Sequence, residues 1–141
     1  MVYLALATNC ALLILDEPTN GLDVPAKALF RRVLAGSIGE EQLVIISTHQ
    51  VKDVENLIDN IVILKDGRVA FNESIGTISE QFVFGSGRSV DEANVLYLEA
   101  VPGGYKSISR QTNGHASDID IEILFNAINS GTKLTSDHGN K

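Results

Sequence analysis

Two short apolar runs, each followed by apolar positions at helical spacing, make up the first part of the chain. The run "ALLIL" at residues 11–15 is continuous and ends at polar turn residues, which is typical of a parallel strand covered on both faces. The second run, "LVIIST" at 43–48, is rich in β-branched residues. The helical positions after the two runs are Ala26, Leu29, Phe30, Val33 and Leu34, and then Val51, Val54 and Ile58. This β-α-β-α alternation predicts an α/β fold with a parallel sheet and flanking helices.

Turn residues set the expected limits of these elements. Pro25 suits the first turn of the first helix, and Gly36 and Gly39 predict its end. The run "IVILKDGRVAF" at 61–71 joins two apolar segments through Asp66-Gly67, which favours a β-hairpin. A short helix is expected from about Ser74 to Phe82.

Glycine and serine mark a possible boundary in the middle of the chain. The segment "FGSGRS" at 84–89 carries two of each, which indicates a division into residues 1–85 and 86–141. In the second part, "NVLYLEAV" and "YKSISRQ" flank Pro102-Gly103-Gly104 and predict another hairpin. We therefore expect a small C-terminal ββα extension, too small to be stable by itself, with a frayed tail.

The helix of this extension is predicted from "SDIDIEILFNAI" at 117–128. Ser117 and Asp120 have the spacing of a capping box. The apolar positions at i, i+3, i+4 and i+7 are Ile121, Leu124, Phe125 and Ile128. At the other end of the chain, "MVYLALATN" reads as the end of an apolar helix that lacks a cap, so the chain is expected to begin inside an element.

Composition and charge narrow the function classes. Hydrophobic residues make up 44% and charged residues 21%, as in a folded protein. The net charge of −7, with 11 scattered Lys and Arg, argues against direct nucleic-acid binding. No apolar run reaches the roughly 18 residues that span a bilayer, and no basic secretion signal is present. The single cysteine, Cys10, excludes an internal disulfide and is expected to be a small buried residue.

Polar side chains follow both predicted parallel strands where each strand ends. Asp16 and Glu17 follow the first strand, and Ser47, Thr48 and His49 end the second. The carboxyl ends of parallel strands share one edge of a sheet, and neighbouring strands lie about 5 Å apart. Adjacent acids point in different directions, so one can hold Mg²⁺ while the other orients or deprotonates water. With a histidine nearby, the pattern indicates phosphoryl transfer.

Each of these residues also has a simpler interpretation. Asp16 and Glu17 could form a solvated turn, His49 could begin a helix, and Asp23 could be an ordinary helix cap. Their joint placement at one predicted edge favours a site.

Two motifs resemble those of a known family. "LLILDEPTNGLD" at 12–23 resembles the Walker B motif and D-loop of ABC-type ATPases, and "IISTHQ" at 45–50 resembles their switch histidine loop. The separation of 32 residues between Glu17 and His49 matches as well. The resemblance covers about residues 1–85 and implies part of a P-loop NTPase (RecA-like) sheet. The "NGLD" wording resembles transporter subunits more than translation factors.

The resemblance implies roles for individual residues. Asp16 would hold Mg²⁺, Glu17 would polarise the attacking water, and His49 would contact the γ-phosphate of ATP. Gly21, Leu22 and Asp23 would lie in the D-loop at a dimer interface. Two such domains would close head to tail around ATP and drive a membrane-spanning transporter subunit. The chain itself would be cytoplasmic and peripheral to the inner face of the cell membrane.

Several motifs of the family are missing from the sequence. It contains no GxxxxGK[ST] phosphate loop, no glutamine loop and no LSGGQ-type signature. We therefore interpret the chain as the C-terminal part of an ABC ATPase and expect it to bind ATP weakly or not at all alone. The alternatives are a non-catalytic interaction module and an ABC-type chromosome or repair ATPase, although the latter predicts heptads and a basic channel, which this sequence lacks. No role is assigned to His115 or His138, and Tyr97 and Tyr105 are expected to pack.

Overall fold

The computed structural model describes residues 10–89, 94–112 and 117–134. The predictions for "MVYLALATN", for His115 and His138 and for most of the C-terminal tail fall outside these ranges. The chain divides into two compact units, Met1–Leu57 and Ile58–Lys141. Within the described residues there are seven strands and three α-helices, so the α/β class is confirmed.

The first unit contains the predicted parallel strand pair. Strand β1 (Leu12–Asp16) pairs with β2 (Leu43–Ser47), in a register that runs from Leu12 opposite Leu43 to Asp16 opposite Ser47. The connection between them contains helix α1 (Val24–Ser37). The structure therefore supports the β-α-β alternation, while a larger RecA-like sheet remains a prediction.

Helix α1 begins where the sequence predicts and ends slightly later. The side chain of Asp23 accepts a hydrogen bond from the backbone N–H of Ala26 at 2.9 Å, which identifies Asp23 as the N-cap. Phe30 and Leu34 are the buried residues of the helix. Gly36 does not end the helix, because a glycine lowers helix stability by only about 1 kcal/mol and is tolerated inside a helix.

The helix predicted after β2 is wrong. Among the described residues, that segment forms only a single 3₁₀ turn, Val51–Asp53. The side chain of Gln50 makes no capping hydrogen bond at its start. Val51 and Val54 are β-branched, which restricts their side chains in a helix. Apolar spacing alone therefore does not extend this turn.

The β1–β2 pair is not covered on both faces, in contrast to the prediction. Leu15 is buried, but four aliphatic side chains that share the other face are 47% to 65% exposed: Leu12, Ile14, Leu43 and Ile45. Cys10 is also exposed, contrary to expectation, because it precedes the first paired residue of β1.

The second unit begins with the predicted hairpin. Strand β3 (Asn60–Lys65) pairs antiparallel with β4 (Arg68–Ser74). Asp66 and Gly67 at the turn have φ of +51° and +73°, and positive φ at both central residues is the mark of a type I′ turn. Helix α2 (Ile75–Gln81) follows, with Ser74 as its N-cap. The hairpin prediction is confirmed.

A three-stranded antiparallel sheet follows α2. Its order is β5 (Phe82–Gly87), β7 (Gly104–Arg110) and β6 (Val95–Val101). The predicted boundary at residue 85 falls inside β5, and it differs from the division between Leu57 and Ile58. A Cβ at Gly85 would lie 3.0 Å from Ser107 Oγ, so this glycine permits close approach of β5 and β7 rather than a flexible link.

Helix α3 (Ile121–Ser130) closes the described part of this unit. Asp120 is its N-cap, whereas Ser117 Oγ donates to the carbonyl of Phe82 at 2.8 Å. The predicted capping box is therefore wrong. Phe125 is 42% exposed, and the buried residues are Ile121, Ile123, Leu124, Ala127 and Ile128.

The two tyrosines of the second hairpin differ in exposure. Tyr105 is 41% exposed, in contrast to the packing prediction, whereas Tyr97 is half-buried and its hydroxyl donates to Glu99 Oε2 at 3.4 Å. Within the described residues, no helix combines the length and apolar character needed to cross a membrane.

Candidate active site

Asp16 lies at the carboxyl end of β1, directly opposite Ser47 in β2. The hydroxyl of Ser47 donates a hydrogen bond to Asp16 Oδ1. The parallel register therefore places a carboxylate and a hydroxyl together at the edge where the sequence predicts the site.

Glu17 turns the chain away from the sheet. Its φ is +43°, a left-handed conformation that is uncommon for residues other than glycine. The backbone is fixed on both sides: the N–H of Glu17 donates to the carbonyl of Ser47 at 2.8 Å, and the carbonyl of Glu17 accepts from Asn20 N–H at 3.1 Å. These bonds offset a conformational cost of about 1 kcal/mol. Such strain at a candidate site is consistent with a functional role.

The carboxylate of Glu17 binds the segment that follows β2. Thr48 Oγ1 donates to Glu17 Oε2 at 2.9 Å, and the backbone N–H of His49 donates to Oε1 at 3.0 Å. His49 Nδ1 also lies 2.6 Å from Oε1. The His49 ring is the largest cause of a lowered Glu17 pKa, to which the Thr48 hydroxyl and the His49 backbone add, while desolvation acts in the opposite direction.

The acid–histidine pair is accessible from solvent. The side chain of His49 is 71% exposed and that of Glu17 is 30% exposed. When a neutral imidazole donates from Nδ1, its Nε2 is an acceptor, and a protonated ring donates from both nitrogens. The ring can therefore hold Glu17 and still meet an incoming ligand.

The residues of the predicted D-loop lie between β1 and α1. Gly21 has a φ of +74°, and Leu22 is 37% exposed, with its N–H donating to the carbonyl of Thr19 at 3.2 Å. The structure confirms that Asp23 caps α1. A role for these residues at a dimer interface stays a prediction.

A half-buried ion pair beside the site was not predicted from the sequence. Lys27 Nζ lies 2.7 Å from Asp53 Oδ2 and donates to Gln50 Oε1, also at 2.7 Å. The Lys27 ammonium group is the largest cause of a lowered Asp53 pKa, while desolvation acts in the opposite direction. Lys27 and Asp53 are 26 positions apart in the chain, and no local sequence pattern links them.

The side chains at the site fit part of a magnesium site. Across the described ranges, no group of three or more His, Cys, Asp or Glu residues could hold a metal ion by itself. Mg²⁺ in nucleotide sites is commonly held by one or two carboxylates together with phosphate oxygens and water. The Asp16 carboxylate beside the Ser47 hydroxyl is a suitable donor set for that purpose.

Comparisons with known proteins agree with the motif resemblance. No protein-family model matches the chain. A putative ribose/galactose/methyl galactoside import ATP-binding protein of Agrobacterium fabrum is 33% identical over 76 residues, which are 54% of this chain and 15% of that protein. An uncharacterised ABC transporter ATP-binding protein of Methanocaldococcus jannaschii is 36% identical over 76 residues, 54% of this chain and 29% of that protein. The chain is homologous to ABC transporter ATP-binding proteins.

A plant protein extends the similarity along most of the chain. ABC transporter G family member 38 of Oryza sativa is 29% identical over 134 residues, 88% of the chain and 8% of that protein. The chain therefore spans between 8% and 29% of the length of these three relatives. The resemblance of its motifs to those of ABC ATPases is confirmed.

Proposed function

We propose that this chain supplies the metal-holding and water-orienting part of the ATP-hydrolysis site of an ABC transporter. The observation that supports it best is the edge of the β1–β2 pair. There, Glu17 is bonded to Thr48 and His49, and Asp16 is bonded to Ser47 in the adjacent register position. Two carboxylates, two hydroxyls and an imidazole thus lie at the carboxyl ends of parallel strands, where ligands of α/β sheets bind.

The proposed roles follow from the chemistry of each group. Glu17, whose pKa is lowered, is a charged carboxylate at neutral pH and orients the attacking water as a hydrogen-bond acceptor. A protonated His49 ring would donate from Nε2 to the γ-phosphate while its Nδ1 keeps Glu17 in place. Asp16, beside Ser47, would hold Mg²⁺. When bound, that ion would neutralise charge on the phosphate oxygens.

The rest of the machinery comes from other polypeptide segments. The 141-residue sequence has no GxxxxGK[ST] loop to hold the ATP phosphates, so alone it binds ATP weakly or not at all. In the proposed assembly, residues 1–85 are the C-terminal part of an ABC ATPase domain and residues 86–141 are an extension. Gly21–Asp23 meet a second ATPase domain head to tail. A membrane-spanning subunit holds the assembly at the inner face of the cell membrane.

A chimera tests this function directly. Residues 10–85 of this chain replace the corresponding segment of the Methanocaldococcus jannaschii relative, which supplies the missing part of the domain. The chimera is expected to hydrolyse ATP, and Glu17→Gln is expected to lower kcat by about 100-fold or more, as is typical for loss of an acid–base group. Phosphate release at saturating Mg-ATP measures the rate.

The matched control changes an acid elsewhere in the same segment. Glu41 is exposed, and Glu41→Gln is expected to leave kcat unchanged. An active chimera in which Glu17→Gln has no more effect than Glu41→Gln would remove the proposed role of Glu17. Micromolar binding of ATP to the 141-residue chain alone, measured by calorimetry, would contradict the expected weak binding.

A further inference from the structure

We propose that Lys27 is a positioning residue for Glu17 and His49, because it ties the start of α1 to the turn that follows β2. The importance of this contact for catalysis rests on the function proposed above. The contact itself, and the experiment below, do not depend on ATP hydrolysis.

Lys27 is held by its own backbone at the start of α1. Its N–H donates to the carbonyl of Asp23, the N-cap, at 2.9 Å. Its ammonium group contacts Asp53 and Gln50, both at 2.7 Å, and both acceptors belong to the turn after β2. The side chains of Lys27 and Asp53 are only 22% and 15% exposed. Removing one partner of a short ion pair that is partly shielded from solvent costs more stability than removing one partner of a fully exposed pair.

The acceptors of Lys27 are connected to the groups that hold Glu17. The backbone N–H of Gln50 donates to Thr48 Oγ1 at 2.9 Å, and that oxygen in turn donates its single proton to Glu17. The N–H of Asp53 donates to the carbonyl of Gln50 at 3.0 Å, which closes the turn. A continuous set of hydrogen bonds therefore runs from Lys27 through Gln50 and Thr48 to Glu17.

The turn after β2 depends on its contacts with Lys27 in α1. It is a single 3₁₀ turn of three residues, and the side chain of its N-cap, Gln50, makes no hydrogen bond that caps the turn. So short a helical segment has little stability of its own. Without the ammonium group, Asp53 loses its cation and Gln50 loses its donor. The turn then moves, and the bonds from Thr48 and His49 to Glu17 loosen.

Amide hydrogen exchange on the ¹⁵N-labelled 141-residue chain measures this effect. In Lys27→Met, exchange of the His49 amide, which donates to Glu17, is expected to rise about tenfold or more, as expected for loss of hydrogen bonds to a charged group. The Leu43 amide donates to the carbonyl of Ala11 at the opposite end of the strand pair. Its exchange is expected to change by less than about threefold.

Two further variants complete the test. Arg32→Met removes an exposed cation from the same helix and is expected to leave His49 exchange unchanged. Asp53→Asn keeps the size of the side chain and removes its charge, and it replaces Lys27→Met if that variant does not fold. The proposal is overturned if His49 exchange matches that of the unmodified chain, or if the Leu43 and His49 amides accelerate equally, which indicates general loss of structure. An inactive chimera would contradict the proposed function and leave this exchange result standing.

Discussion

At the scale of single residues, Glu17 combines an unusual backbone with a carboxylate whose two oxygens both accept hydrogen bonds. Its left-handed φ turns the chain sharply at the end of β1, and the side chain then meets Thr48 and His49. A strand end that only had to turn the chain could use glycine, which adopts a positive φ without a Cβ clash. Glu17 thus has the conformational cost of a positive φ and also makes the carboxylate contacts. This combination is expected where a side chain has a functional role.

Substitutions at Glu17 separate the backbone cost from the side-chain contacts. Both Glu17→Ala and Glu17→Gly remove the carboxylate, but only glycine adopts positive φ without a Cβ clash. The glycine variant is therefore expected to have the higher free energy of unfolding, by about 1 kcal/mol. Urea unfolding measures the difference. The same pair at Glu41, which is not among the residues with positive φ, is expected to show the opposite order.

At the scale of elements, local turn chemistry predicted the structure well where it acted alone. Asp66-Gly67 produced the expected hairpin, and Asp23 with Pro25 marked the start of α1. The helix predicted at 51–58 was wrong in the structure. Tertiary contacts decide it, because the turn after β2 bonds to Lys27.

The sequence predicted the strand-end residues of the candidate site but not its ion pair. Asp16, Glu17 and His49 were found because strand ends are visible in the sequence, and parallel pairing brings them to one edge. The ion pair of Lys27 with Asp53 has no such local signal. It depends on how α1 lies relative to the turn after β2, which the apolar pattern does not specify.

Two glycines give a matched test of element stability. Neither Gly67 nor Gly36 has an atom within 4 Å of an added Cβ, so crowding is not involved. Gly67 has positive φ in the hairpin turn, and Gly67→Ala is expected to lower the free energy of unfolding by about 1 kcal/mol. Gly36 lies inside α1, and Gly36→Ala is expected to raise it by about 0.5 kcal/mol. Equal effects of the two changes in urea unfolding would contradict the turn assignment.

At the scale of the whole molecule, charged carboxylates make the free energy of unfolding depend on pH in the acid range. The chain has a net charge of −7 at pH 7, and two of its carboxylates, Glu17 and Asp53, have lowered pKa values in the folded state. Their ordinary values are 4.5 and 3.8. A lowered folded pKa means that the unfolded chain binds more protons in this range. The resulting stability is present above the ordinary pKa values and is lost as pH falls through the folded ones.

Lys27→Met therefore has a pH signature that Arg32→Met is expected to lack. In the unmodified chain, the urea midpoint is expected to fall as pH decreases from about 5 to about 3, because both carboxylates become protonated. Without Lys27, the largest cause of the lowered Asp53 pKa is gone. The urea midpoint of Lys27→Met is therefore expected to be lower than that of the unmodified chain at about pH 5, and to fall less steeply toward about pH 3. Arg32→Met removes the same formal charge from an exposed position and should follow the unmodified chain closely.

Parallel curves for all three proteins would mean that the ion pair of Lys27 with Asp53 contributes no pH-dependent stability. A flatter curve for Lys27→Met alone would show that the contact proposed to position His49 also stabilises the fold.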